Sequence, residues 1–357
     1  MGVNDRFWRG RRVLVTGHTG FKGSWLSLWL QEMGARVAGF ALPPPTRPSL
    51  YESARVGEGM ESHMGDLRDL EALTAVVRHF RPEVIFHLAA QPLVRRSYQE
   101  PVETYTTNVI GTVHLLEAVR RCETVQAVVN VTSDKCYHNR EWEWGYRESD
   151  PMGGADPYSS SKGCAELVTD AWRHSYFSSG PWLASARAGN VIGGGDWAED
   201  RLIPDLLTAF ARGEAAPIRN PRAVRPWQHV LEPLAGYLLL AERLVHDGAA
   251  VADGWNFGPA DEEARPVGWI ADRLAELWGE GAHWQSQGGD HPHEATWLKL
   301  DSSRARLRLG WSPRWGLEEA LRRVVEWHRA HADGADLRAV TLEQIHAYRQ
   351  IGGGEAR

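Results

Sequence analysis

The sequence has few cysteines, no long apolar stretch and no excess of basic residues. Its three cysteines, Cys122, Cys136 and Cys164, form no Cys-x-x-Cys pair, which argues for a reducing compartment and against structural zinc. No apolar run approaches the length of a membrane-spanning helix and the N-terminus has no secretory pattern, so we expect a cytoplasmic protein. A formal net charge of −6, with both signs interspersed, gives no footprint for nucleic acid or an anionic membrane.

Metal ligands are also scarce. His291, His293 and Glu294 lie close together in the sequence, but no further partner follows them at the spacing of a zinc site. We therefore predict that the protein holds no metal ion.

A glycine-rich turn near the N-terminus is the most informative feature that is present. The aliphatic run 12–16 leads into Gly17, Gly20 and Gly23, and a stretch with helical character follows. The first glycine turns the chain sharply, the second lets the backbone approach a pyrophosphate, and the third packs the helix onto the strand. The N-terminus of the helix then offers free N–H groups to phosphates. The predicted cofactor-binding residues of this turn are Gly17, His18, Gly20, Phe21, Lys22 and Gly23.

Strand and helix patterns alternate up to about residue 180. Residues 125–131 form a continuous apolar run, which is typical of a parallel sheet with both faces covered. The alternation predicts an α/β fold with a doubly wound parallel sheet in residues 1–182. It weakens afterwards, and we expect residues 183–350 to form a smaller α/β domain, with some segments interleaved with the first.

The end of the second predicted strand lacks an acidic residue. A carboxylate usually grips the adenosine ribose there, but prolines 43–45 follow the strand and the next acid is Glu52. Arg47 suits a 2′-phosphate but equally an exposed loop, so these residues leave the choice between NAD and NADP open. Asp66, after the third strand, suits the adenine amino group or a helix cap.

Reactive side chains follow the strand 125–131. Ser133, Asp134 and Lys135 lie at its carboxyl end, where ligands bind in open α/β sheets. Tyr158 and Lys162 are four residues apart and share one face of the next predicted helix. Lysine can hold a nicotinamide ribose, and its charge lowers the pKa of the phenol so that the tyrosine can act as a base.

The second half of the chain places polar residues among glycines and prolines. A sugar or phosphate site and a plain surface loop both suit Asn190 and the glycines that follow it. Guanidinium groups match a diphosphate bidentately, although several arginines of this stretch suit solvated faces equally well. The arginines in question are Arg201, Arg219, Arg222 and Arg225.

The motifs together resemble the extended short-chain dehydrogenase/reductase family, and within it the nucleotide-sugar 4,6-dehydratases. The resemblance covers nearly the whole chain and is most specific at residues 15–25, 132–137 and 225–230. Dehydratases that act on dTDP-glucose typically carry Thr-Asp-Glu where this chain has Ser133, Asp134 and Lys135, and the lysine points to the branch that acts on CDP-glucose.

The resemblance implies an NAD-dependent enzyme of the hydro-lyase class that recycles its cofactor in every turnover. It oxidises CDP-glucose at C4, eliminates water across C5 and C6, and returns hydride to C6. The elimination requires Lys135 as a neutral base and Asp134 as a protonated acid. Relatives pair two helices of each subunit, which implies a homodimer or homotetramer. An epimerase or reductase would not need the acid and base, and a non-catalytic NAD(P)-binding regulator would lack a working tyrosine–lysine pair.

The motifs and the resemblance together give three sets of candidate site residues. The candidate catalytic residues are Ser133, Asp134, Lys135, Tyr158 and Lys162. Beyond the glycine turn, the candidate cofactor contacts are Asp66, Leu67, Ala89, Ala90, Tyr158 and Lys162. The candidate substrate contacts are Ser133, Asn190, Arg201, Arg219, Arg225 and Asn256.

Overall fold

The computed structural model of the chain describes residues 2–287 and 297–351. The strands of this part are β1 (Arg12–Thr16), β2 (Arg36–Ala41), β3 (Met60–Met64), β4 (Val84–His87), β5 (Ala127–Val131), β6 (Trp182–Ala188), β7 (Asn190–Ile192), β8 (Ala216–Ile218), β9 (Val224–His229), β10 (Gly254–Phe257), β11 (Ala264–Pro266) and β12 (Trp284–Ser286). Its α-helices are α1 (Asp5–Trp8), α2 (Phe21–Glu32), α3 (Leu50–Ser53), α4 (Leu70–Phe80), α5 (Val94–Gln99), α6 (Pro101–Tyr105), α7 (Gly111–Arg120), α8 (Pro157–Ser175), α9 (Leu202–Ala211), α10 (Leu231–Asp247), α11 (Val267–Trp278), α12 (Leu317–Ala332) and α13 (Leu337–Ile351).

Seven strands of the described residues form one parallel sheet in the order β10-β6-β5-β4-β1-β2-β3. The chain begins in the middle at β1, builds outward to β3, and then crosses to the other side of β1 with β4. The strand order therefore reverses between β1 and β4, which is where such sheets bind ligands. The predicted doubly wound parallel sheet is confirmed as a fold class. Its strands do not stop at residue 182, because β6 and β10 bring residues up to 188 and 254–257 into the same sheet.

Helices cover both faces of this sheet. Within β1, Val13 and Val15 belong to a core that includes residues of α2 and α10, whereas Leu14 belongs to a core that includes residues of α4 and α7. Every residue of α2 from Gly23 to Leu30 is buried, because α10 and α13 pack against the same helix. Burial on all sides explains why this helix is apolar around its whole circumference.

The remaining strands form a smaller part beside the carboxyl edge of the large sheet. The described residues contain a three-stranded sheet in the order β11-β9-β7 and a two-stranded sheet of β12 and β8. A separate core packs α9, α11 and α12 together. Since β7 begins two residues after β6 ends, the smaller part starts at the ligand-binding edge. No helix of the described ranges has the length and apolar character needed to span a bilayer.

Candidate active site

The turn between β1 and α2 requires glycine at two of its three glycine positions. Gly17 has a φ of +77°, and a Cβ on it would lie 2.7 Å from the backbone nitrogen of Ala89. A Cβ on Gly23 would lie 2.1 Å from the carbonyl oxygen of Gly17. A Cβ on Gly20 would meet only that oxygen, at 3.4 Å. Gly20 is also the N-cap of α2 without a side-chain hydrogen bond, so the first N–H groups of the helix remain open to an anion.

His18 fills space at the second strand. Its ring is fully buried, its Nε2 lies 2.7 Å from the Oγ of Ser62 in β3, and a Cβ on Gly39 would overlap it. Burial, with a smaller contribution from His63, lowers the pKa of His18 to about 4, so the imidazole is neutral at neutral pH. The imidazole thus packs over β2, the strand whose end lacks the ribose-binding acid.

The other predicted cofactor residues follow β3 and β4 at the same edge of the sheet. The carboxylate of Asp66 accepts a hydrogen bond from Arg68 at 2.5 Å, and this bond lowers the pKa of Asp66. Leu67 is buried against α7. Ala89 and Ala90 follow β4 and are half-buried, so small side chains lie where this strand passes the glycine turn.

The predicted catalytic segment, residues 133–135, begins two residues after β5 and is held close to α8. Ser133 is 7% exposed and Asp134 is 5% exposed. The hydroxyl of Ser133 donates to Oδ1 of Asp134 at 2.9 Å and accepts from the backbone nitrogen of Lys135 at 3.2 Å. The side chain of Ser133 also lies near enough to Tyr158 to lower the pKa of its phenol. One side chain therefore lies beside both the candidate acid and the candidate redox base.

Asp134 lies where its protonated form is favoured. Burial raises its pKa, although Lys135, the hydrogen bond from Ser133 and two more distant cations act against the rise. A Cβ on Gly189 would lie 3.0 Å from Oδ2, so glycine after β6 leaves room for the carboxyl group. Lys135 itself is half-buried. The structure thus brings the candidate acid and base together at the sheet edge.

Tyr158 and Lys162 lie in the first two turns of α8 and are almost fully buried. The Nζ of Lys162 lies 6.0 Å from the centre of the Tyr158 ring. Burial raises the pKa of Tyr158 to about 12, although the nearby Ser133 side chain lowers it. Burial also lowers the pKa of Lys162 to about 8. The expected lowered pKa of Tyr158 is wrong for the chain alone, because the cost of burying a phenolate outweighs the nearby cations.

Two further cations face these residues. Burial and the charges of Arg201 and Lys162 together lower the pKa of Lys22 in α2 to about 8. Arg201, the N-cap of α9, holds Asp196 at 2.7 Å between Nη1 and Oδ2, and its charge also acts on Tyr158. These groups form a positively charged wall that suits a diphosphate.

The other predicted substrate residues are placed differently from one another. Arg225 in β9 is near enough to Asp134 for its charge to lower the pKa of that carboxyl. Asn190 opens β7 and is half-buried. Arg219 pairs instead with Asp200 at 2.8 Å, with both side chains partly exposed. Arg225 therefore lies near the catalytic segment, Asn190 follows Gly189, whose Cβ position is 3.0 Å from Asp134, and Arg219 lies in a separate ion pair.

The expectation that Asn256 faces the substrate is wrong. Its side chain is fully buried, and Oδ1 accepts a hydrogen bond from the hydroxyl of Tyr137 at 2.7 Å. Its Nδ2 donates to the carbonyl oxygens of Tyr146 at 2.8 Å and Asp301 at 3.2 Å. The residue lies in β10, whose outer side is covered by these segments, so its amide is used entirely within the protein.

A buried ion pair behind the catalytic segment was not predicted. Glu166 in α8 and Arg187 in β6 are each 5% exposed and lie 2.8 Å apart. The hydroxyls of Thr132 and Ser185 donate to the same carboxylate. The available signal was the position of Glu166 four residues after Lys162, on the same helix face. Nothing local marks its partner, which is 21 residues away.

The part of the chain that the structure describes contains no candidate metal site. No group of three or more His, Cys, Asp or Glu side chains there is arranged to hold an ion. His291, His293 and Glu294 lie outside the described residues.

Comparisons with known proteins agree on one kind of relative. The family model described as GDP-mannose 4,6 dehydratase matches residues 14–324. The CDP-glucose 4,6-dehydratase of Salmonella typhimurium strain LT2 is 59% identical over 352 residues, which cover 97% of this chain and 98% of that protein. The UDP-glucose 4-epimerase of Mycolicibacterium smegmatis is 29% identical over 89% of this chain and 98% of its own length.

A solved structure supports the fold independently. The dTDP-glucose 4,6-dehydratase of Streptomyces venezuelae, crystallised with NAD and TYD, is similar with a TM-score of 0.78 at 23% identity. The similarity covers 92% of this chain and 99% of that one. At this identity it shows a shared fold.

Proposed function

The chain belongs to the GDP-mannose 4,6 dehydratase family, and we propose that it converts CDP-glucose to CDP-4-keto-6-deoxyglucose and water. The observation that carries the proposal is the buried carboxyl of Asp134, which is bonded to Ser133 and lies next to Lys135. An epimerase has no use for an acid and a base at this position. The 59% identity to a CDP-glucose dehydratase supports the choice of the nucleotide.

NAD fits the residues of the glycine turn, and the S. venezuelae relative was crystallised with it. The Gly17 and Gly23 positions leave no space for a Cβ, and the uncapped N-terminus of α2 offers N–H groups to a pyrophosphate. Lys162 would hold the nicotinamide ribose beside Tyr158. When bound, NAD supplies the redox chemistry, namely hydride removal at C4 of the sugar and hydride return at C6.

Oxidation at C4 depends on Tyr158 and Ser133. Tyr158 takes the proton of the C4 hydroxyl, and Ser133 holds the same oxygen by a hydrogen bond. The phenolate has to be stabilised, because burial raises the pKa of Tyr158 to about 12. The ammonium of Lys162, 6.0 Å from the ring centre, and the guanidinium of Arg201 supply positive charge for this purpose.

Elimination of water depends on Asp134 and Lys135. Once C4 is a ketone the C5 proton is acidic, and Lys135 removes it while Asp134 gives its proton to the departing O6 hydroxyl. Burial raises the pKa of Asp134, which is the direction that a general acid needs. Hydride returns to C6 and the proton on Lys135 to C5. Loss of the O4 proton from Tyr158 and uptake of one proton by Asp134 restore both residues, so that one water is lost for each sugar.

The part after residue 183 would mainly hold the nucleotide sugar. Arg201 and Arg225 would bind the diphosphate, a role supported by the action of their charges on Tyr158 and Asp134. Asn190 borders the same edge, and Arg219 would contribute from the rim, where Asp200 now holds it. Asn256 is left out of the proposed substrate contacts.

The direct test is to incubate the purified protein with CDP-glucose and NAD and to follow the sugar by mass spectrometry. Loss of one water from CDP-glucose, with weaker activity on dTDP-glucose and UDP-glucose, is the expected result. A sugar of unchanged mass is examined by proton NMR, and inverted stereochemistry at C4 would identify an epimerase instead. An unchanged sugar would rule out both activities for this substrate.

We infer in addition that the chain forms a homodimer or homotetramer through α6, α7 and α8, as its resemblance to the family implies. Large apolar side chains are exposed on and around these helices. They are Tyr98, Val102, Tyr105, Ile110, Leu167 and Tyr176. Light scattering on a Val102→Asp variant tests the assignment, with Leu307→Asp, at an exposed position outside these helices, as the control. Loss of the oligomer in both variants or in neither would contradict it. The cytoplasmic location stays a prediction from the sequence.

A further inference from the structure

We propose that the buried Glu166–Arg187 pair is a positioning element that holds both ends of the catalytic segment, a role that rests on the proposed dehydration. Neither side chain is placed to touch the sugar. Each instead bonds to a residue that flanks residues 133–135 in the chain.

The first end of the segment is held by Glu166. The hydroxyl of Thr132, the residue immediately before Ser133, donates to Oε1 of Glu166. Thr132 is 6% exposed, and its backbone nitrogen donates to the carbonyl oxygen of Ala186 in β6 at 3.0 Å. The segment therefore leaves β5 from a position that is bonded both to the sheet and to α8.

The other end is held by Arg187. Its Nη1 donates to the hydroxyl of Tyr137 at 2.7 Å and to the carbonyl oxygen of Glu148 at 3.0 Å. Its guanidinium also lies over the Tyr137 ring, 5.2 Å from the ring centre. The Tyr137 hydroxyl in turn donates a hydrogen bond to Oδ1 of the buried Asn256. Tyr137 is two residues after Lys135. The residues on both sides of the segment are therefore hydrogen bonded to the same ion pair.

The pair itself is built as a rigid unit. Arg187 binds Glu166 bidentately, with Nε–Oε1 at 2.9 Å and Nη2–Oε2 at 2.8 Å, and Ser185 donates to Oε2 at 2.6 Å. Glycine at position 254 makes room, since a Cβ there would lie 2.4 Å from Nη2. Buried pairs are often no more stabilising than apolar residues of similar size, whereas bidentate geometry fixes orientation. Orientation of the attached segment is therefore the better account of this pair.

The geometry also says which half of the reaction depends on the pair. Tyr158 and Lys162 belong to α8, the helix that carries Glu166, so they keep their places if the segment loosens. Ser133, Asp134 and Lys135 belong to the segment. Oxidation would keep its base and lose only the hold of Ser133 on the C4 oxygen, whereas elimination would lose the placement of both its acid and its base. Displacement of a reacting group by about 1 Å can cost a hundredfold in rate. Elimination should therefore suffer more than oxidation at C4.

Two conservative variants release one end each without breaking the ion pair. Thr132→Val removes the hydroxyl that binds Glu166, and Tyr137→Phe removes the hydroxyl that binds Arg187. Ser185→Ala is the matched control, because it removes a hydrogen bond to the same carboxylate from a strand outside the segment. Rapid quenching and mass spectrometry separate the 4-keto sugar, which has lost two hydrogens, from the dehydrated product. Thermal unfolding is measured in parallel.

We expect Thr132→Val and Tyr137→Phe to slow elimination about tenfold or more and to accumulate the 4-keto sugar. Ser185→Ala should lose similar thermal stability and keep elimination within about twofold of the wild type. Thr132→Ser, which restores the hydroxyl, should rescue the rate. Equal slowing by Ser185→Ala, no rescue by serine in a folded variant, or normal elimination in both release variants would overturn the positioning role. A wild-type protein that leaves CDP-glucose unchanged would instead remove the proposed function, and the positioning role with it.

Discussion

The hydroxyl of Ser133 donates a hydrogen bond to Oδ1 of Asp134 at 2.9 Å. The same side chain lies near enough to Tyr158 to lower the pKa of its phenol, so the residues proposed for oxidation and for elimination meet at one group. In the presence of the sugar, Ser133 would turn towards the C4 oxygen and release Asp134 towards O6. The two half-reactions can therefore be separated by substitution at Asp134.

Asp134→Asn should stop elimination and leave oxidation at C4 in place. The amide keeps the size of the carboxyl group but has no acidic proton to give, and loss of a general acid costs about 100-fold or more in rate. The expected result is accumulation of the 4-keto sugar without dehydrated product, measured by quenched mass spectrometry. Asp69→Asn is a suitable control, since asparagine also caps a helix and Asp69 is the N-cap of α4. Wild-type dehydration by Asp134→Asn would remove the assigned role.

Two substitutions in the glycine turn should have separate effects on folding and on cofactor binding. Gly23→Ala should destabilise the protein strongly, because its Cβ would overlap the carbonyl oxygen of Gly17. Gly20→Ala should unfold at nearly the wild-type temperature, since its Cβ has room within the protein, and yet bind NAD at least about tenfold more weakly if the backbone there faces a pyrophosphate. Calorimetric titration with NAD and with NADP measures both affinities. Unchanged NAD affinity in Gly20→Ala would contradict the placement of the pyrophosphate.

Arg201 should contribute mainly to substrate affinity. Its guanidinium lies near Tyr158 and Lys22, where the diphosphate is proposed to bind. Replacement by alanine removes charge-assisted hydrogen bonds worth about 1.5–3 kcal/mol, which corresponds to a KM raised about 10- to 100-fold. The kinetics of Arg201→Ala are compared with those of Arg212→Ala, an exposed arginine at the other end of α9. A KM that rises equally in both variants would exclude a specific contact.

Glu232 makes stability depend on pH. It is fully buried in α10 and accepts hydrogen bonds from Tyr348 and from the backbone of Arg314 and Trp315, and burial raises its pKa to about 7 from 4.5. The folded state therefore keeps its proton after the unfolded state has lost it. Stability from this group is complete below pH 4.5 and is lost as pH rises to about 7, by on the order of 3 kcal/mol.

Glu232→Gln should remove this contribution, because the amide cannot ionise and can keep hydrogen bonds to the same partners. Urea unfolding of both proteins at about pH 5 and about pH 8 measures it. The variant should lose less stability between the two values, whereas Glu71→Gln, at an exposed position, should behave as the wild type. Parallel losses in the wild type and Glu232→Gln would show that the buried carboxyl does not titrate in this range.

Local features of the chain were predictable from the sequence. The apolar runs 12–16 and 125–131 indicated strands, and the structure confirms a strand within each, β1 and β5. The glycine turn was recognisable because its strand, turn and helix are consecutive, so that one short stretch contains all the constraints. The segment 133–135 could be placed at the sheet edge for the same reason, since it directly follows a buried apolar strand.

Features that depend on contacts between distant parts of the chain were not predictable from the sequence. Asn256 and Ser133 both lie near the carboxyl end of a strand. Residues 146 and 301 cover β10, however, and their carbonyl oxygens accept the hydrogen bonds of the Asn256 amide. The predicted direction of the Tyr158 pKa shift was wrong. The spacing of tyrosine and lysine in the sequence indicates that a cation lies near the phenol, but it does not show how deeply both side chains are buried.

The amino-acid sequence by itself determined the sheet class, the glycine turn and the identity of the reactive side chains, because hydrophobic periodicity and short motifs act between near neighbours in the chain. Only the tertiary structure decided which of those side chains are buried, which cations face them, and that Glu166 and Arg187 hold both ends of one segment. Desolvation and long-range ion pairing depend on what the fold brings together in space, and no local pattern of residues contains that information.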